Sequence, residues 1–161
     1  MKHVILAMAL LTFVACGGKR IALSEGNTAK AEGVMSMTVA WVKDKGKKFD
    51  IRVSLKNERE NEGVIVMLND VTCFKGNLRG ETKHTFFNTG ERTMDFRPGE
   101  LKTFNLVCRL GSETTGPFKI NIVRVYENPT LDGKTTGKVI ASNIEWKGGE
   151  ESKPAQPEAG K

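Results

Sequence analysis

The chain has 161 residues, of which 39% are apolar and 27% are charged, and its net charge is +6. Without an apolar leader and a polar tail, about 115 residues remain, which is enough for one domain with one hydrophobic core. Basic and acidic residues alternate along this body, and one positive charge, Lys2, lies in the leader. The sequence therefore gives no indication of a nucleic-acid-binding surface.

The chain begins with Met1-Lys2-His3 and continues with an apolar run from Val4 to Ala15. This run of twelve residues is too short for a membrane-spanning helix, which needs about twenty, but it suits the core of a signal peptide. The pattern predicts that residues 1–15 are a leader that directs export.

The leader ends in Phe13-Val14-Ala15, directly before Cys16-Gly17. A small residue followed by cysteine at this point resembles the lipobox of bacterial lipoprotein precursors, with Phe13 at a position where that family usually has leucine. The resemblance implies that the Cys16 thiol receives a diacylglyceryl group, that the leader is removed before Cys16, and that the new amine is acylated. We expect no cofactor besides this covalent lipid, and we expect the protein to be anchored to a membrane.

The alternative is an ordinary secreted protein, whose cleavage site needs a small-x-small pattern that Phe13 interrupts. Two or three acyl chains hold a protein firmly on a membrane, whereas one chain holds it weakly. Gly17, rather than an aspartate, follows Cys16. This resembles outer-membrane lipoproteins of enteric bacteria, so an outer-membrane location facing the periplasm or the cell surface is favoured over the inner membrane.

Once Cys16 is lipidated, Cys73 and Cys108 are the two remaining cysteines. An even number in an exported domain predicts a disulfide between them. The loop that it would close has about 36 residues, which corresponds to roughly 3–4 kcal/mol of stability. The alternative is a pair of buried free thiols. A metal site is disfavoured because neither cysteine has a histidine or another cysteine nearby in the sequence.

Residues 16–33 are polar and rich in glycine, which predicts a flexible tether with a reach of roughly 23 Å. From residue 35 the sequence alternates with a period of two, which is typical of strands with one buried face. The turn between the first two strands, Lys43–Lys48, contains Gly46, which can adopt a positive φ. The residues predicted to face the core in these two strands are Met35, Met37, Val39, Trp41, Phe49, Ile51, Val53 and Leu55.

Further short segments rich in apolar residues predict strands at 64–68, 71–74, 82–87, 94–96, 102–110, 118–126 and 138–146. No window has helical periodicity over three turns. The pattern therefore predicts an all-β domain over residues 34–147, a single antiparallel β-sandwich of seven to nine strands, with a small β-barrel as the alternative. Residues 148–161 contain no large apolar residue and are predicted to be disordered.

The predicted sandwich loosely resembles immunoglobulin-like domains of bacterial surface proteins. Immunoglobulin domains place a tryptophan between two cysteines and a tyrosine two residues before the second. Here no tryptophan lies between Cys73 and Cys108, and Leu106 stands at the tyrosine position. The resemblance therefore implies an architecture and transfers no functional residue.

His84 is the only histidine after the leader. A hydrolase or enzyme accessory would need His84 in a cleft beside a carboxylate such as Glu81 or Asp95. The alternative is an exposed histidine on a strand, and no catalytic motif accompanies it. We therefore expect a protein that is not an enzyme.

Two segments are candidate binding surfaces. The basic turn would bind anionic headgroups or polymers through Lys43, Lys45, Lys47 and Lys48, unless it is merely solvated. Phe86 and Phe87 are neighbours on a predicted strand and so face opposite sides, which would leave one as an exposed anchor unless both faces are covered. Trp41 and Trp146 are predicted to lie in the core.

These observations favour a lipid-anchored cell-envelope protein with a non-catalytic binding or structural domain. Its partners would be the membrane and an envelope protein or polymer. The alternatives are an accessory domain or small hydrolase that uses His84, and a surface-exposed adhesin or inhibitor.

Overall fold

A computed structural model describes residues 19–21, 27–84, 93–131 and 136–148, with the backbone alone for residues 19–21 and 84. These residues form eleven strands and one short 3-10 helix, Leu68–Asp70. The all-β class is confirmed, with more strands than the seven to nine predicted. The strands are β1 Lys19–Ile21, β2 Thr28–Ala31, β3 Met35–Asp44, β4 Lys48–Asn57, β5 Gly63–Met67, β6 Val71–Lys75, β7 Leu78–His84, β8 Thr93–Phe96, β9 Leu101–Arg109, β10 Phe118–Asn128 and β11 Val139–Lys147.

The first sheet is built on β3 and β4, which form a hairpin. β9 pairs with the free edge of β4, and the second half of β7 pairs with β9. The other edge of β3 carries two short strands: β2 beside its first half and β1 beside its last three residues. Every pairing is antiparallel, which suits a sheet with one face on the core and one face in water.

The second sheet is built on β10, the longest strand. β11 pairs with one edge of β10, while β6 and then β5 pair with the other edge. β8 extends the sheet beyond β5, and the first half of β7 extends it beyond β6. The 3-10 helix joins β5 to β6 without leaving the edge of β10.

β7 belongs to both sheets: Leu78–Gly80 pair with β6, and Glu81–His84 pair with β9. Strands on either side of a middle strand are about 9.6 Å apart in a flat sheet. Across β7, however, the Cα atoms of Cys73 and Cys108 are 6.2 Å apart. The hydrogen-bonded surface therefore folds sharply at β7, and this fold stacks the two sheets.

On the opposite side of the molecule the free edges belong to β2 and β11. Within the described part of the chain these two strands share no ladder. The sheet is therefore open, so the structure is a sandwich rather than the closed barrel considered as the alternative.

The core lies between the inner faces of the two sheets. Phe49 of β4 stacks on Phe118 of β10, with ring centroids 4.8 Å apart. Trp146 is 2% exposed, which confirms its predicted place in the core. The largest of the other fully buried side chains are Phe96, Met35, Met37, Ile51, Leu55, Ile65, Leu106, Ile120 and Ile122.

A β-bulge in β3 corrects the prediction for Trp41. The pairing with β4 shifts between Val39 and Trp41, so that the alternation restarts one residue later. Val42 is buried in place of Trp41, and Trp41 lies half-buried on the outer face of the first sheet.

The tether prediction for residues 16–33 also needs correction, because β1 and β2 lie within that segment. Both strands hydrogen-bond to β3, so ordered structure begins before residue 34. The predicted signal peptide, residues 1–15, and all of the predicted tail after Gly148 lie outside the described residues.

Candidate functional site

The loops of the two sheets meet at the two ends of the sandwich. At one end, the β3–β4 turn contacts the loop after β9, because the Leu110 amide donates to the Lys47 carbonyl at 2.8 Å. The β6–β7 turn joins them there, with the Gly76 amide donating to the Pro117 carbonyl at 2.9 Å. We call this the hairpin end. The opposite end is organised by the buried Asn57 and is called the Asn57 end.

The basic turn at the hairpin end is a tight turn with Gly46 and Lys47 at its tip. Gly46 has φ +80°, which glycine adopts without strain. The Lys45 amide donates to the Lys48 carbonyl at 2.8 Å, and the Gly46 amide donates to Asp44 Oδ1 at 2.7 Å. These two bonds fix the turn.

The four predicted lysines divide into two groups. Lys45 and Lys48 form ion pairs with Asp50, with N–O distances of 2.5 and 3.4 Å. Burial alone would raise the pKa of Asp50, but hydrogen bonds from both lysines outweigh it and lower the pKa below its usual value. Lys43 and Lys47 have no ion pair within the described part of the chain. They are therefore the two lysines whose charge is directed at solvent or at a ligand.

A buried ion pair fastens this turn to the second sheet. Lys75 on β6 is 7% exposed, and its Nζ lies 3.0 Å from Asp44 Oδ2 at the end of β3. The same ammonium lies 5.1 Å from the centroid of the Phe49 ring, which adds a cation–π contact. Asp44 thus holds the turn with one oxygen and the opposite sheet with the other.

The two ends differ in charge. Residues 43–50, 74–80, 107–119 and 145–148 form the hairpin end, with nine basic residues and four acidic ones. Residues 31–35, 56–63, 95–102, 126–131 and 136–138 form the Asn57 end, with five basic and seven acidic. The basic residues of the hairpin end are Lys43, Lys45, Lys47, Lys48, Lys75, Arg79, Arg109, Lys119 and Lys147. The acidic residues of the Asn57 end are Glu32, Glu58, Glu60, Glu62, Asp95, Glu100 and Glu127.

β1 brings the start of the described chain to the hairpin end. Lys19 lies opposite Asp44, and Arg20 lies opposite Lys43. Because β1 is antiparallel to β3, Lys19 is the residue of β1 that lies nearest the basic turn.

The outer face of the first sheet carries a second cluster of polar side chains. Thr28, Thr38, Ser54 and Thr103 lie opposite one another across four adjacent strands. The hydroxyls within this row are hydrogen-bonded in pairs, at 2.9 Å and 2.7 Å. The next row towards the hairpin end contains Trp41, Arg52 and Asn105. Alternation in the sequence reveals the outward positions of Thr38, Ser54 and Thr103. It does not reveal those of Thr28 and Trp41, or the register that aligns the rows.

The disulfide joins Cys73 and Cys108 across β7. Gly80 lies directly under it, where a Cβ would be 2.5 Å from the Cys108 sulfur and 2.8 Å from the Cys73 sulfur. Glycine is therefore required at this position by the close approach of the sulfurs, and the sequence alone does not show why residue 80 lacks a side chain.

The structure describes only some of the other predicted site residues. Cys16, Phe86 and Phe87 lie outside the described residues. The backbone of His84 pairs opposite Leu106, and its side chain is not described. The two carboxylates named as its partners are engaged by lysines, Glu81 by Lys83 at 3.6 Å and Asp95 by Lys102 at 3.5 Å.

Within the described part of the chain, no three histidine, cysteine, aspartate or glutamate side chains are grouped so that they could hold a metal ion. Among the same residues, no helix has the length and apolar character needed to cross a membrane.

No protein-family model matches the sequence, and no curated protein matches it. The fold is similar to the crystal structure of a candidate lipoprotein, ycdA, from Bacillus subtilis, with a TM-score of 0.52 and 12% sequence identity. The match covers 81% of this chain and 40% of that chain. At 12% identity, this likeness shows that the two proteins share a fold.

Proposed function

We propose that this protein is a lipid-anchored, non-catalytic binding module of the cell envelope. Cys16 carries the anchor, and the outer face of the first sheet binds an envelope polymer. The lipobox-like end of the leader supports the anchor. The fold shared with a candidate lipoprotein agrees with it.

The outward position of Trp41 carries the binding part of the proposal. An indole on an open sheet face offers a flat apolar platform, which packs against the apolar face of a sugar ring. Arg52 lies beside it and can bind a carboxylate or phosphate with paired hydrogen bonds. The adjoining row of hydroxyls adds donors and acceptors at the strand spacing of about 4.8 Å. An acidic polysaccharide chain matches this combination.

The ion pairs of Glu81 and Asp95 support a module without catalysis. A hydrolase would need a carboxylate free to orient the imidazole or to act beside it. Glu81 and Asp95, the two candidates from the sequence, lie in lysine ion pairs instead.

The anchor is tested by the intact mass of the protein extracted from its own membranes and alkylated with and without reduction. We expect loss of residues 1–15, added acyl groups, and two cysteines that react only after reduction. An unlipidated mass with a reactive Cys16 would exclude the anchor. Separation of inner and outer membranes tests the outer-membrane location that Gly17 favours.

The binding face is tested by co-sedimentation of the full-length protein, in detergent, with isolated cell-wall polysaccharide. We expect Trp41→Ala and Arg52→Ala each to weaken binding about tenfold, which corresponds to about 1.4 kcal/mol. Leu101→Ala is the matched control, because Leu101 is exposed on the same face at the other end of the sheet. Equal binding by all four proteins would contradict the proposed face.

A further inference from the structure

We infer that the hairpin end of the sandwich rests on an anionic lipid surface, so that β3 and β4 stand upright on the membrane. This inference depends on the proposed anchor at Cys16. It adds an orientation and a second membrane contact, made by the basic turn, which the anchor alone does not require.

The chain between the proposed anchor and the fold is short. Lys19 is three residues after Cys16, so their Cα atoms are at most about 11 Å apart even in extended chain. The ladder between β1 and β3 fixes Lys19 opposite Asp44. The lipid is therefore held close to the basic turn, far closer than a seventeen-residue tether with a reach of about 23 Å would hold it.

The direction of β1 also places the anchor near the turn. β1 is antiparallel to β3, so Lys19, the residue of β1 closest to Cys16 in sequence, lies at the end of β1 beside the turn. The tip of that turn, at Gly46 and Lys47, lies roughly 7 Å beyond Asp44 at the usual rise of a strand. Anchor and tip therefore approach the same surface.

The charge of the hairpin end is complementary to an anionic surface. The hairpin end has an excess of basic residues, and Lys43 and Lys47 have no ion pair in the described part of the chain. Anionic headgroups attract such a cluster within a screening length of about 8–10 Å. The acidic Asn57 end would be repelled by the same surface, so the two ends favour one orientation together.

The basic turn is fixed rigidly to the rest of the sandwich. The Asp44–Lys75 ion pair and the Leu110–Lys47 hydrogen bond fasten the turn to the second sheet. An orientation imposed on the turn is therefore imposed on the whole sandwich. With β3 upright, its ten residues place the Asn57 end about 33 Å above the turn. The face with Trp41 and Arg52 then looks sideways, clear of the headgroups.

The test uses full-length, lipidated protein reconstituted in vesicles of phosphatidylcholine with phosphatidylglycerol. One variant carries a fluorophore on Ser112→Cys at the hairpin end, and the matched variant carries it on Asn61→Cys at the Asn57 end. Both positions are exposed and uncharged. With a quencher attached to the lipid headgroups, we expect most of the Ser112→Cys emission to be lost and the Asn61→Cys emission to be unchanged.

Flotation with the vesicles separates the two levels of the proposal. Protein that fails to float lacks the anchor, and the proposed function fails with it. Protein that floats but shows equal quenching at the two positions keeps the anchor and overturns the orientation.

The role of charge has its own control. Lys43→Gln/Lys47→Gln should reduce quenching at residue 112, and so should vesicles of phosphatidylcholine alone. Lys30→Gln/Lys138→Gln, which removes two exposed lysines elsewhere on the sandwich, should leave it unchanged. Equal quenching on neutral and anionic vesicles would overturn the electrostatic contact. A change confined to the Lys30 and Lys138 variant would overturn the assignment of the basic turn.

Discussion

The two ends of the sandwich are held together by different interactions. Each must hold loops from both sheets over the edge of one core. At the hairpin end an ionised pair, Asp44 and Lys75, spans the sheets. At the Asn57 end a neutral amide does so: Asn57 donates to the Glu62 and Arg97 carbonyls at 2.7 and 3.0 Å and accepts from the Arg59 amide at 3.0 Å.

The difference separates a neutral, stabilising network at one end of the sandwich from a charged end that is proposed to bind. Asn57 satisfies its amide fully without a charge, so its contribution should be insensitive to pH and salt. The hairpin end relies on charge both inside and outside, as the proposed contact with an anionic surface requires. Variants that remove these interactions test the contrast between the two ends.

Replacing Asn57 should lower the free energy of unfolding more than the other substitutions. Asn57→Ala removes three hydrogen bonds, to the Glu62 and Arg97 carbonyls and from the Arg59 amide, at a position that is 0% exposed. At roughly 1–1.5 kcal/mol per lost hydrogen bond, we expect about 4 kcal/mol of lost unfolding free energy. Urea unfolding measures it, with Asn61→Ala in the same loop as the exposed control. A loss equal to that of the control would show that Asn57 does not organise this end.

Loss of the disulfide should have the second largest effect on the free energy of unfolding. Cys73→Ala/Cys108→Ala should lower the unfolding free energy by about 3–4 kcal/mol, because the unfolded chain regains the freedom of the closed loop. Gly80→Ala should cost about 1–3 kcal/mol in the native protein through overpacking against the sulfurs.

A double-mutant cycle ties these two effects together. Once the sulfurs are removed, the methyl group of Gly80→Ala has space, and most of its cost should disappear. If the cost of Gly80→Ala is the same with and without the cysteines, the close approach at β7 is not its cause.

The ion pair at the hairpin end should contribute less than Asn57. Asp44→Asn weakens the contact with Lys75 and should cost about 2 kcal/mol, below the 3–5 kcal/mol of a fully buried pair. Asp44 is indeed partly exposed. Asp44→Asn/Lys75→Met removes both charges and should be within about 1 kcal/mol of the parent. A double variant that is less stable than either single variant would contradict this interpretation.

The smallest effect concerns Asp50 and depends on pH. Its folded-state pKa is lowered, so the carboxylate stabilises the fold above its ordinary pKa, and this contribution is lost as the pH falls through the folded value. Asp50→Asn should therefore cost less than about 1 kcal/mol at neutral pH, because the pair is near the surface. The difference from the parent should vanish in acid. A difference that grows in acid would have the wrong sign.

Much of the fold follows from alternation in the sequence. Phe49, Ile51 and Val53 mark the inner face of β4, and the structure buries all three. β2 could not be found in this way, because its four residues, Thr28–Ala31, have small or polar side chains and are held by backbone pairing with β3. The bulge near Ala40 was equally hidden, since neither the residues nor their spacing mark where a ladder shifts.

The candidate site was predictable only in part. The lysines of the basic turn were visible because charges cluster around Gly46. The neutralisation of Lys45 and Lys48 by Asp50 required the three-dimensional structure, and so did the alignment of Trp41 with Arg52. These relations depend on register between strands, which a single sequence specifies only through the whole fold.

The pairing of β4 with β9 has a consequence for how the chain folds. Ser54 and Thr103, which face each other across this ladder, are 49 residues apart in sequence. The first sheet therefore cannot form completely until about two thirds of the chain is available. Before that point, β4 lacks the partner strand on one of its edges. Topologies dominated by such distant contacts fold in milliseconds to seconds. A chain that folds late stays unfolded longer, which would suit the export that the proposed anchor at Cys16 requires.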